Sequence, residues 1–107
     1  MSSAEPAPTS FLVIIDDHTD ADALSRRLAT RPAHLAEATR RRQANTLVSG
    51  GAILDSHESG KMIGSALIVN AQSPDHVLEM LKSDPYCKQN AWNIDSAKIY
   101  PYREANF

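Results

Sequence analysis

The chain has 107 residues, 11 Lys and Arg against 13 Asp and Glu, and a single cysteine. At this length one domain with one modest core is the natural architecture. A net charge of -2 argues against a nucleic-acid partner, which needs a surplus of Lys and Arg on one face, and a lone Cys87 excludes an intrachain disulfide and Cys₄ or Cys₂His₂ zinc sites.

The first ten residues, MSSAEPAPTS, hold almost nothing to bury and predict a disordered tail over 1–10. They have no basic start and no apolar run, so they do not read as a signal peptide. No stretch approaches the roughly 20 apolar residues of a membrane span. The expectation is a cytoplasmic domain with no membrane partner.

FLVII (11–15) is a short β-branched apolar run closed by Asp16 and Asp17, and it predicts a strand buried on both faces. In DADALSRRLAT (20–30), Leu24 and Leu28 suit one helical face, and Asp20 and Asp22 sit at the end a helix dipole favours. The residue before a proline is pushed out of the α region, so Arg31 predicts a break or kink between a short helix and a longer one over 32–44. Asn45 can take the left-handed position that ends it.

TLVSGGAIL (46–54) reads as a strand whose paired glycines, Gly50 and Gly51, suggest a bulge or a close approach of backbone or ligand. DSHESGK (55–61) is hairpin-turn chemistry, and MIGSALIVNA (62–71) is the second strongly apolar strand. Ser73-Pro74 opens a helix as N-cap and first-turn proline, with Val77, Leu78 and Leu81 on one face. DPY (84–86) reads as a turn, and a last strand covers about Ile94 to Tyr100.

The order β-α-β-β-α-β predicts an α+β fold, a ferredoxin-like sandwich over residues 11–107 with an antiparallel four-stranded sheet and both helices on one face. Yet the strands at 11–15 and 62–71 are apolar on both faces. A second copy packed sheet to sheet would cover the face the helices leave open, so a homodimer is expected.

Several segments taken together resemble the YciI-related family of small proteins, whose hallmark is the YCII domain. They are RLATRPAHL (27–35), GG with the following LD (50–55), MIGSALIV (62–69), SDPY (83–86) and IYPYR (99–103), in the family's order. The resemblance implies a dimeric α+β barrel and a pocket between sheet and helices. It also implies that the pocket contains the histidine of an R-x-x-H motif, here Arg31 to His34. The chain departs from the family in CKQNAWNID (87–95), where Trp92 stands at the entry to the last strand and could reshape the pocket entrance.

On its own residues, His34 reads either as a hydrogen-bonded structural histidine or as a general acid or base, since imidazole titrates near neutrality. The motif match favours the second reading. An orienting carboxylate would be Asp84, which the family motif favours, or Asp55, which follows the Gly-Gly strand; both stay open. Arg31 or Ser65 would hold an anionic or carbonyl oxygen, and Gly51, Tyr86 and Trp92 complete the expected substrate-binding set.

DDHTDAD (16–22) alternates acidic residues like a calcium loop, but Ala21 and Arg27 stand where its glycine and glutamate belong, so no metal is expected. The combined expectation is a cofactor-free lyase or isomerase acting on a small organic substrate, aromatic or lactone-like. The rival is a non-catalytic dimer that binds a small molecule or a partner domain.

Overall fold

The computed structural model describes residues 8–107. Its elements are β1 (Thr9–Asp16), α1 (Ala23–Gln43), β2 (Leu47–Leu54), β3 (Met62–Ala71), α2 (Pro74–Ser83), a short α3 (Pro85–Lys88) and β4 (Lys98–Tyr102), with a 3₁₀ turn at Ile94–Ser96 before β4. The sheet order is β2-β3-β1-β4 with every neighbouring pair antiparallel, so the two apolar strands are central, as the ferredoxin-like reading requires.

The tail expected over 1–10 lies outside the described residues up to position 7. Thr9 and Ser10 are already strand, paired with Ala71 and Asn70, and the Ser10 hydroxyl donates to Asn70 Oδ1 at 2.8 Å. Cross-strand polar partners extend β1 two residues beyond its apolar run.

Strand alternation decides which side chains make the core. Phe11, Val13 and Ile15 of β1 meet Leu67, Val69 and Ala71 of β3 beneath Val77 and Leu81 of α2, and Tyr86, Ala91 and Trp92 close the cluster. On the opposite face the register aligns Leu12 with Ile68 and Tyr100, and Ile14 with Ala66. There Leu12, Ile14, Ala66 and Ile68 are only half-buried, and Tyr100 is 48% exposed.

Three local expectations change. No break occurs at Arg31: α1 runs through Pro32 as one helix. Pro32 lies on the exposed side, where water can take the Leu28 carbonyl that the missing N–H leaves free. DPY is not a bare turn but opens α3, because the Asp84 side chain caps it by accepting from the Tyr86 N–H at 2.9 Å. β4 starts four residues later than expected, since Asn93 Oδ1 accepts from the Asp95 N–H and winds Ile94–Ser96 into the 3₁₀ turn.

Asn45 takes the left-handed conformation after α1, with φ 66°. The register of β2 on β3 shifts between Leu47 and Ser49 and between Ile53 and Leu54, beside the glycine pair rather than at it. Gly64 is where close approach matters: a Cβ there would stand 2.6 Å from the Ile15 carbonyl oxygen.

Candidate active site

The inward face of α1 is not the leucine stripe its sequence suggested. Leu28 is 51% exposed, and the buried positions are Ala23, Arg27 and Thr30. The same face continues to His34 and Arg41, so a mainly polar stripe looks at the sheet. Between this stripe, β2, β3 and α2 lies a cavity of about 640 Å³. His34, Asp84, Arg31, Ser65, Gly51 and Tyr86 all line it, and so do Arg27, Arg41 and Arg42.

His34 Nδ1 lies 2.8 Å from Asp84 Oδ1. Asp84 is 2% exposed, and the backbone fixes its carboxylate because the same Oδ1 accepts the Tyr86 N–H. Arg41 Nη1 stands 3.5 Å from Oδ2, while Arg41 Nη2 donates to the Met80 carbonyl and the Ser83 hydroxyl, both at 2.9 Å. An ionised carboxylate can only accept. The imidazole therefore donates from Nδ1 to Asp84, and in its neutral form it keeps its lone pair on Nε2.

Two aromatic rings hold the imidazole in this pose. Tyr86 stacks on it with ring centroids 3.9 Å apart and an interplanar angle of 14°, and Trp92 meets it edge-on at 5.4 Å. Burial pushes the Tyr86 phenol up, against the opposing pull of the Arg27 and Arg31 cations, so it stays protonated at neutral pH. Burial raises the Cys87 thiol too, and Asp84 adds to the rise, so Cys87 is a poor nucleophile.

Two expected site residues are not where the sequence reading put them. Asp55 stands exposed at the start of the β2–β3 hairpin, where its Oδ1 accepts from the Ser59 hydroxyl and its N–H donates to the Lys61 carbonyl at 3.0 Å. It is a turn residue, outside the cavity wall, and cannot orient His34. Trp92 is not at the entrance. It is 1% exposed, bridges to Asp17 as an isolated β-pair and donates its indole N–H to Ser65 Oγ at 3.0 Å. Its bulk fills the core behind the site, which is why a large residue is tolerated there.

Sequence reasoning missed Arg27, Asp17 and Arg41. Arg27 is 2% exposed and pairs through Nη1 with Asp17 Oδ1 at 2.7 Å. Burial raises the Asp17 carboxyl, and the Arg27 charge opposes that rise. The available signal was spacing: Arg27, His34 and Arg41 stand seven apart, which on a helix places them on one face. Among the described residues no group of three or more His, Cys, Asp or Glu side chains could hold a metal ion. None of the described helices is long and apolar enough to cross a membrane.

With this geometry in place, three likenesses to known proteins bear on it. The chain is 32% identical over 101 residues to aspercryptin biosynthesis cluster protein B of Emericella nidulans, covering 90% of this chain and 64% of that protein. It is 36% identical over 80 residues to derivative of benzaldehyde biosynthesis cluster protein C of the same organism, covering 70% of this chain and 82% of that one. The chain thus spans less than two thirds of the first relative's length. The solved structure of 5-chloro-2-hydroxyhydroquinone dehydrochlorinase from Burkholderia phenoliruptrix, in complex with 2,5-dihydroxybenzoquinone, shares the fold. Its TM-score is 0.74 at 24% identity, covering 90% of this chain and 95% of that one. Residues 9–101 match the YCII-related domain over nearly the whole described chain, and the protein belongs to that family.

Proposed function

We propose that this protein is a small-molecule enzyme of lyase or isomerase type in which His34 moves a proton and Asp84 orients it. The observation that carries this reading is the His34–Asp84 contact of 2.8 Å in the wall of a cavity large enough for a small organic ligand. A carboxylate on Nδ1 leaves Nε2 as the nitrogen that takes the proton and stabilises the imidazolium once it forms.

Four arginines and one carboxylate line the cavity, so an anionic or readily ionised substrate is favoured. The dehydrochlorinase that shares the fold is solved with a dihydroxybenzoquinone, which points to a hydroxylated ring or a related enol. On such a substrate His34 Nε2 would take a proton from a ring hydroxyl. The ring must be in its keto tautomer, in which the carbon bearing the leaving group has gained a proton and is saturated. The electron pair left on oxygen then forms a carbonyl, shifts the ring double bond between them toward that carbon and expels the leaving group with its own electron pair. The balance is loss of one acid molecule, with the proton passing through His34. Without a leaving group, the same proton transfer returned at another atom is an isomerisation. Arg31, on the exposed side of the cavity, would hold an anionic substituent.

We further propose that the working form is a homodimer, with the half-buried face of Leu12, Ile14, Ala66 and Ile68 covered by the same face of a second copy.

The test is a panel of hydroxylated benzoquinones and chlorinated hydroxyhydroquinones. Binding is followed by thermal shift and turnover by release of the leaving group. His34→Gln keeps hydrogen-bonding capacity but cannot take a proton, so turnover should fall roughly 10²–10⁴-fold. Binding of panel members with equal turnover by wild type and His34→Gln would remove histidine from the mechanism. Binding with no turnover by either would leave a binding module.

A further inference from the structure

Ser65 sits in β3, 2% exposed at the cavity wall, and its hydroxyl has an unusual set of partners. Arg27 Nη2 lies 3.1 Å from Ser65 Oγ and Trp92 Nε1 lies 3.0 Å from it. Guanidinium and indole nitrogens carry hydrogens and cannot accept, so chemistry alone fixes the direction of both bonds. A hydroxyl has two acceptor sites and one hydrogen. Both acceptor sites of Ser65 are taken, and among the described residues its own hydrogen has no acceptor.

Neither donor is free to leave. Arg27 is held by Asp17 Oδ1 at 2.7 Å, and its guanidinium carbon lies 4.7 Å from the Tyr86 ring centroid. Trp92 is locked in the core against Tyr86 at 5.4 Å. A buried cation on one side of Ser65 Oγ also polarises the O–H, which strengthens whatever bond that hydrogen makes.

We propose that Arg27 and Trp92 are positioning residues that lock the Ser65 hydroxyl as a hydrogen-bond donor, and that the substrate presents to it an oxygen bearing no hydrogen, a carbonyl or a phenolate. This rests on the cavity being the small-molecule site argued above, and it adds a polarity to that site. A ligand whose atom at this point can only donate is rejected, because Ser65 has no lone pair left to receive it. In an elimination that turns a ring hydroxyl into a carbonyl, the oxygen passes from a protonated to a hydrogen-free form. A fixed donor binds the second form better than the first and so stabilises the developing charge.

The experiment uses the whole chain and 2,5-dihydroxybenzoquinone as probe, an acidic coloured quinone whose ionised form carries hydrogen-free oxygens. Affinity, the visible band of the bound probe and its ionisation in the complex are read together. Ser65→Ala should weaken binding roughly ten- to hundredfold, the usual cost of losing a hydrogen bond to a charged group, and move the bound band toward that of the free ionised probe. Trp92→Phe keeps an aromatic ring but frees one Oγ lone pair. It should raise the pH at which the bound probe ionises, toward the free value, with a smaller loss of affinity. Combining Ser65→Ala with Trp92→Phe should add little to Ser65→Ala alone, since tryptophan acts here through serine. A folded Ser65→Ala variant that binds the probe as tightly as wild type, with an unmoved band, overturns this inference and leaves the proposed His34 chemistry standing. Wild type that fails to bind the probe at all overturns both.

Discussion

At the scale of single residues, the site depends on which carboxylate faces His34. Asp84→Asn should cost nearly as much turnover as His34→Gln, because an amide can hold the imidazole in the wrong tautomer. Asp55→Asn should leave turnover unchanged, since Asp55 serves only the hairpin turn. Steady-state rates of the two variants on one substrate separate these roles; equal losses would mean the hairpin reaches the site in the working form. From the sequence both aspartates stayed open, because each begins a plausible turn and the motif match favoured Asp84 while the position after the Gly-Gly strand favoured Asp55. What distinguishes them is burial and the Tyr86 N–H that pins Asp84, and neither leaves a local signature. Arg27 and Asp17 were hidden for a related reason. A buried ion pair is rare, and an arginine in a helix rich in charge reads by default as solvated. Removing one partner leaves the other charge buried and unpaired, so Asp17→Asn should lower stability by about 3–5 kcal/mol in denaturant titration. A loss below about 1 kcal/mol would show water reaching Arg27, as at an exposed pair.

At the scale of elements, strand identity and order were legible because apolar runs of 4–8 residues between turn signals have few other uses. The path of α1 was not. Its inward face is mainly polar because it roofs a cavity, and the two leucines that marked a core-facing helix lie outside the cavity wall, Leu28 51% exposed and Leu24 half-buried. Two contacts fix how these elements sit. Gly64 lets β3 approach β1 where a Cβ would meet the Ile15 carbonyl, so Gly64→Ala should destabilise the fold by about 1–3 kcal/mol through forced separation of the central strands. An unchanged denaturation midpoint would mean that the pair can splay without cost. At the start of α1, Asp20 bonds Arg26 through both oxygens at 2.7 Å, and Arg26 also donates to the Asn90 carbonyl, so this pair tethers the helix to the segment after α3. The Arg26 hydrogen bonds are the main reason the Asp20 carboxyl is lowered to about 2 from 3.8. A carboxyl depressed in the folded state stabilises above its unfolded value and loses that contribution as pH falls through the folded one. The melting-temperature gap between wild type and Asp20→Asn should therefore be constant above about pH 5 and close toward pH 2. A gap that persists undiminished at the acid end would trace it to something other than the charge.

At the scale of the whole molecule, one sheet face is sealed and the other is not. The helices bury Phe11, Val13 and Ile15 to 5, 0 and 0% exposure, while Leu12 and Ile14, their neighbours along the same strand, stay half-buried. Period-two alternation normally answers this with polar residues on the outer face. Here the outer face of the two central strands carries Leu12, Ile14, Ala66 and Ile68. This apolar surface is the one the proposed homodimer would bury. Its central strands are flanked by Ser49 and Gly51 of β2 on one side and Lys98 and Tyr100 of β4 on the other, an apolar middle with a mixed border. A two-fold arrangement would set Leu12 and Ile68 of one copy against the same residues of the next, since such interfaces are self-complementary. Sedimentation at micromolar concentration should therefore give twice the 11.7 kDa chain mass. Ile68→Lys places a charge at the centre of that face without touching the His34 cavity. It should yield monomers, because an unpaired ammonium at a closed apolar interface costs several kcal/mol from each copy. If the monomeric variant keeps wild-type turnover, each site is complete within one chain and the dimer serves only to cover the sheet. If turnover falls with the dimer while the monomer stays folded, the second copy shapes the cavity mouth at β2, the edge strand that carries Gly50 and Gly51. A wild-type chain that sediments as a monomer would instead require these four side chains to be stable in water at half exposure.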